Sequence, residues 1–202
     1  MANDKQFKLK TKFIATRDVR EYRETIPVWV NERDTVLEIG CEWGTTTRLI
    51  APRCTEVIAS DISAECIEEA RRRHPDIRFE VLDAFDVTAA LALGKKFTKV
   101  YIDMSGLSGY RSLLDVIALL TMYATVLRPE AIVVKSGALK HFTSHCVAWS
   151  EKSKSPVRFA QGKLRVEERR DSHGRSSPGG GLSLPRNDSE GRGGEEPAGS
   201  DL

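Results

Sequence analysis

Within residues 36–135, five short runs rich in β-branched residues alternate with stretches of helical pattern. The runs fall at 36–39, 57–60, 79–82, 100–103 and 131–135. Strands separated this regularly by helical segments build a parallel sheet with helices on both faces, because each crossover must return the chain to the same end of the sheet. In such a sheet ligands bind beyond the carboxyl ends of the strands. Candidate functional residues are therefore sought at and just after those ends.

The connecting segments carry their own signals. Ser63 is placed to cap a helix over 64–73, with Glu65, Glu68 and Glu69 early, three arginines late and Pro75 beyond. Residues 111–127 are apolar on nearly every side, as suits a helix buried between the sheet and another layer. Near the start, Phe7, Leu9 and Phe13 alternate with Lys8, Lys10 and Lys12, which predicts a strand with one basic face, and 18–30 reads as a helix across the sheet edge.

The final 32 residues hold 17 Gly, Ser and Pro and only four apolar side chains. Such a segment buries too little surface to offset its ordering entropy, so 171–202 is expected to be a disordered, acidic tail. The expected organisation is a basic strand and helix capping the domain (1–35), the main domain (36–170) and the tail. The formal net charge of +2 averages unlike parts, with basic flanks around a slightly acidic centre and an acidic tail. Basic flanks suit a polyanionic partner.

The four cysteines, Cys41, Cys54, Cys66 and Cys146, form no C-x-x-C pair, so neither a zinc site nor a disulfide framework is signalled. No metal is expected. Polar, lysine-rich residues at the start do not resemble a leader, and the longest apolar run, 113–127, is interrupted by Asp115 and too short to span a bilayer. The expectation is a soluble, intracellular protein, cytoplasmic by default, with no membrane partner.

The first run leads into Glu38-Ile39-Gly40-Cys41-Glu42-Trp43-Gly44, and Asp61 follows the second run, 21 positions after Gly40. A carboxylate there is placed to accept hydrogen bonds from both hydroxyls of a ribose, which points to a nucleoside-containing ligand. A dinucleotide needs G-x-G-x-x-G, but the second and third glycine positions are occupied by Glu42 and Thr45. Glu42 would also repel a pyrophosphate. S-adenosylmethionine has no phosphate and carries a sulfonium cation, so the acidic loop favours it.

These residues resemble the class I S-adenosylmethionine-dependent methyltransferase superfamily. Its first motif is similar to Glu38 through Gly44, the acid ending its second strand corresponds to Asp61, and the following Ile62 would pack on adenine. Its third motif matches Asp83-Ala84, with Asp86 nearby, and its fourth matches Asp103. The resemblance implies a Rossmann-like, doubly wound, mostly parallel sheet. It also implies cofactor-binding roles for Glu38, Gly40, Gly44, Asp61, Ile62, Asp83, Ala84 and Asp103. The chain departs from the family at Glu42, where glycine is usual. The family's closing hairpin is minimal or missing, with only 157–160 and 163–167 available to form it. Trp43 is expected to wedge against the cofactor or under the N-terminal helix.

The acceptor is less legible. The run Asp103-Met104-Ser105-Gly106 lacks the Pro-Pro and aromatic that follow this acid in enzymes acting on planar amines. Asp103 with Lys135 resembles half of the Lys-Asp-Lys-Glu set of RNA ribose 2′-O-methyltransferases, the other half falling to Lys10 or Lys12 and to Glu151 or Glu167. Asp103 and Lys135 are thus the candidate catalytic residues, and the expected function is methyl transfer to a macromolecule, RNA being favoured. The alternative is a non-catalytic cofactor-binding module or partner subunit. His141 and His145, four apart, would share a helix face without an identifiable third metal ligand.

Overall fold

The computed structural model describes residues 9–147. Its strands are β1 (Lys12–Thr16), β2 (Thr35–Ile39), β3 (Glu56–Asp61), β4 (Arg78–Val81), β5 (Lys99–Ile102) and β6 (Ala131–Lys135). They form one sheet in the order β1-β6-β5-β2-β3-β4, and every pairing is parallel. The chain winds outward from β2 through β3 to β4, then crosses back to β5 beside β2. The crevice at the carboxyl ends of β2 and β5 is therefore the switch point of a doubly wound, Rossmann-like α/β fold.

The helices are α1 (Val19–Glu24), α2 (Ile26–Trp29), α3 (Thr47–Ile50), α4 (Ala64–Arg73), α5 (Val87–Ala92), α6 (Leu113–Val126) and α7 (Gly137–Ser144). They cover both faces of the sheet. Tyr22, Ile26 and Ile50 pack with Val36, Val57, Tyr101 and Val133 on one face. Ala90, Val116, Leu119, Tyr123 and Leu139 pack with Leu37, Ile39, Ile58, Val100 and Ile132 on the other. Alternation along each strand separates these two sets. Helix α4 follows its sequence signals closely: Ser63 accepts from the Cys66 amide, and Ile67 and Ala70 turn inward.

Three expectations need correction. The N-terminal strand belongs to the sheet itself: β1 pairs with β6 from Lys12 opposite Ala131 to Thr16 opposite Lys135, so it forms an edge and caps nothing. Its start lies later than the Phe/Lys alternation suggests, because the partner strand begins only at Ala131. The helix expected across 18–30 is two short ones, interrupted at Thr25 where Pro27 enters the first turn of α2. Helix α6 is not buried all round, since Leu114 is 78% exposed and Ile117 also reaches the surface. The expected hairpin segments, the tail, Phe7 and Lys8 lie outside the described residues. No helix among the described residues is long and apolar enough to cross a membrane.

Candidate active site

A cavity of about 610 Å³ opens at the switch point. Its lining includes Gly40, Asp61, Ile62, Asp83, Ala84, Asp103 and Lys135. Seven of the nine residues singled out in the sequence thus lie around one space, although they come from five different strand ends.

The loop after β2 makes the approach to this space. Gly40 has a φ of +79°, and a Cβ there would stand 2.1 Å from the Asp103 carbonyl oxygen. Only glycine lets the two strand ends converge. The Gly40 and Cys41 amides both donate to the Ser60 carbonyl, at 2.8 and 2.9 Å, which pins the loop to the end of β3. Glu42 also lies in the left-handed region, with φ +50°, and its amide donates to Asp61 Oδ2 at 3.0 Å. The departure from glycine therefore carries backbone strain of about 1–2 kcal/mol. The Ser63 amide donates to Asp61 Oδ1 at 3.0 Å, so the carboxylate is oriented by main chain on both oxygens. Asp83 is held similarly by the Phe85 amide at 2.9 Å.

Two of the nine lie outside the lining. Glu38 is buried beneath the loop, where it accepts a 2.5 Å hydrogen bond from the Thr47 hydroxyl. Burial, and secondarily the nearby Asp103 charge, pushes its carboxyl up to about 7 against the pull of the Thr47 hydrogen bond. Gly44, with φ +78°, packs against His74 and Phe79. Trp43 takes neither expected place: it is partly exposed, with the Arg73 guanidinium 4.5 Å from its ring centroid.

The wall at the end of β6 is built differently. Lys135 ends β6 and its ammonium forms an ion pair with Asp103 Oδ1. Lys12 cannot join them, because it sits four residues back along β1 from Thr16, Lys135's neighbour, which is about 13 Å at the usual rise per residue. Its ammonium instead lies 5.6 Å from the Trp29 ring centroid. Lys10 precedes β1 and lies at that same far end. Glu151 and Glu167 lie outside the described residues. His141 and His145 do stand together, with ring centroids 4.4 Å apart, but no group of three metal-ligating side chains occurs among the described residues.

Sequence reading missed Leu82, Ser63, Cys66, Met104 and Ser105 in the lining. All lie within a few positions of a recognised acid, which was the available signal. It also missed Tyr123, a buried residue of α6 whose hydroxyl donates to the Ala84 carbonyl at 3.0 Å and so braces one wall from within the core. Nothing local in the sequence marks that contact.

Four carboxylates, of Glu42, Asp61, Asp83 and Asp103, meet one ammonium in the lining. That balance suits a cationic ligand and opposes a pyrophosphate. Exposed Ile62, with Leu82 and Ala84, supplies apolar surface for a flat base beside the Asp61 carboxylate.

Residues 36–130 match a family of methyltransferase domains. This stretch, just under half of the chain, is similar to the methyltransferase domains that use S-adenosylmethionine as cofactor. Similar solved structures include DesVI of Streptomyces venezuelae, with 19% identity, coverage of 67% of this chain and 52% of that one, and a TM-score of 0.46. An rRNA methylase of Streptococcus thermophilus has 11% identity, coverage of 65% and 83%, and a TM-score of 0.44. A dimethyladenosine transferase of Plasmodium falciparum has 22% identity, coverage of 52% and 38%, and a TM-score of 0.40. The chain spans between 38% and 52% of the Plasmodium and Streptomyces proteins. No curated protein matches the sequence significantly.

Proposed function

We propose that this chain is a methyltransferase acting on a hydroxyl of RNA, with the ribose 2′-hydroxyl as the leading acceptor atom. The observation that carries this reading is the Lys135–Asp103 ion pair on the wall of the cofactor cavity. Asp61 receives the ribose hydroxyls of the cofactor, Ile62 and Ala84 flank its adenine, Asp83 faces the adenine amine, and Gly40 lets the backbone approach. Glu38 and Gly44 act one layer away, by shaping the loop. Bound there, S-adenosylmethionine supplies an electrophilic methyl group on a sulfonium that becomes a neutral thioether.

The chain's own residues then handle the acceptor. The Lys135 ammonium beside the attacking oxygen stabilises its developing negative charge. The Asp103 carboxylate orients both Lys135 and the hydroxyl, and takes the proton as the carbon–oxygen bond forms. Placing the oxygen in line with the methyl group supplies much of the remaining acceleration. The basic flanks of the domain favour a polyanionic acceptor.

The test is Lys135→Ala assayed with labelled cofactor and cell RNA. Calorimetric affinity for S-adenosylmethionine is expected to stay within about threefold, while turnover falls by about 10²–10³, the usual cost of removing a group aimed at developing charge. Unchanged turnover would remove Lys135 from the chemistry.

A further inference from the structure

The cofactor cavity does not account for a second cluster just outside it. The loop from β5 to α6 begins with Met104 and Ser105, which line the cavity, and then touches the start of α7, two residues after Lys135. The two are tied together: the Ala138 amide donates to the Ser108 carbonyl at 3.1 Å, and the Tyr110 hydroxyl hydrogen-bonds His141 Nδ1. The Tyr110 and His141 rings meet edge to face with centroids 5.9 Å apart. The His141 ring lies 4.4 Å from that of His145, so three rings form one continuous group.

This group contributes nothing to either face of the core. Tyr110 is 58% exposed, both histidines are exposed, and Phe142 on the same helix is also exposed. The two segments that carry it hold charge of one sign only. Residues 104–114 and 135–147 contain no Asp or Glu, whereas Arg111, Lys135 and Lys140 are cationic, the two lysines being paired with Asp103 and Glu21 from other elements. Arg111 makes no ion pair among the described residues. Exposed flat rings beside the Arg111 guanidinium suit a strand of unpaired bases linked by phosphates.

We infer that Tyr110, His141 and His145 form a stacking platform for a base of single-stranded RNA adjoining the methylated nucleotide, with Arg111 on a neighbouring phosphate. This rests on the RNA reading of the site and adds the residues that hold the strand. The platform explains how a short chain grips its acceptor from two segments that already frame the active site. It also separates binding from chemistry, since none of the three rings belongs to the cavity lining.

The test uses the full chain and labelled single-stranded RNA of about 12 nucleotides, followed by fluorescence anisotropy, with cofactor affinity measured in parallel. Tyr110→Ala should weaken RNA binding about thirtyfold, near the middle of the range for one lost base stack, and leave cofactor affinity unchanged. Tyr110→Phe keeps the ring and should stay within about twofold of the parent. Adenine-rich RNA should bind more tightly than uracil-rich RNA, and Tyr110→Ala should erase that preference. RNA binding unaltered by Tyr110→Ala, no RNA binding at all, or equal displacement by an acidic polypeptide would each overturn the platform. Ring-dependent RNA binding without methyl transfer would keep the platform and sink the catalytic reading. Methyl transfer to RNA that is insensitive to Tyr110→Ala would do the reverse.

Discussion

The two halves of the site are held by different means. On the cofactor side, main chain does the holding: Gly40 passes over the Asp103 carbonyl, and amides of Glu42, Ser63 and Phe85 fix the Asp61 and Asp83 carboxylates. On the side proposed to hold the acceptor, long side chains pair with one another, Lys135 with Asp103 and, nearby on α7, Lys140 with Glu21. Backbone geometry is set by strand order and a few glycines, and it tolerates little change. Ion pairs between long side chains can be re-drawn one residue at a time. A fold can therefore keep one cofactor while its acceptor changes, and this molecule carries both kinds of support at the carboxyl ends of one sheet.

The sharpest way to break that contrast is Gly40→Ala. The added methyl has no space and the backbone has no allowed alternative, so the variant should lose about 5 kcal/mol or more of stability and all measurable cofactor binding, read by chemical unfolding and calorimetry. A soluble variant with normal affinity would show that the loop is not backbone-limited. Next comes Asp61→Ala, which removes the proposed acceptor of two ribose hydroxyls. Cofactor affinity should fall by about 3–6 kcal/mol, and an unchanged value would move the nucleoside elsewhere.

Glu38→Gln probes the layer beneath the loop. The Glu38 carboxyl titrates near 4.5 when unfolded and at about 7 when folded, so between these values the folded state binds more protons. Its contribution must then turn unfavourable as pH rises through that window, by about 3 kcal/mol in total. The stability difference between Glu38→Gln and the parent should shift in favour of the variant by that amount between pH 4.5 and about 7.5 in urea titrations. A pH-independent difference would mean the carboxylate is not desolvated. The smallest effect belongs to the acceptor side: Lys140→Ala breaks a half-exposed ion pair and should change stability by no more than about 0.5 kcal/mol. A larger loss would show that side-chain pairs hold that half more firmly than the contrast allows.

Much of the cofactor half could be read from sequence because its signals are local. The turn after β2, the acid after β3 and the capped start of α4 each lie within a few residues of the strand that places them. The acceptor half depends on which strands are neighbours. Lys12 is as suitable as Lys10 for the second lysine of the set until the register puts it at the wrong end of β1, and Lys–Phe alternation carries no information about register. Trp43 is similar, since its partner Arg73 comes from the far end of α4. The outward face of α6 eluded the pattern for another reason: Leu114 and Ile117 are as apolar as the residues that turn inward, so periodicity could not tell the two faces apart.

The pairing of β1 with β6 has a kinetic consequence. Thr16 is made early but finds its partner, Lys135, only after 119 further positions, so this is the most non-local contact in the sheet. Loop closure over such a span is slow relative to the nearer pairings of β2, β3 and β4. During synthesis the residues proposed to bind the cofactor, 38 to 103, are all present before Lys135 exists. The nascent chain can therefore assemble a nucleoside pocket while its acceptor wall is still unmade, and β1 waits, unpaired, until the wall arrives.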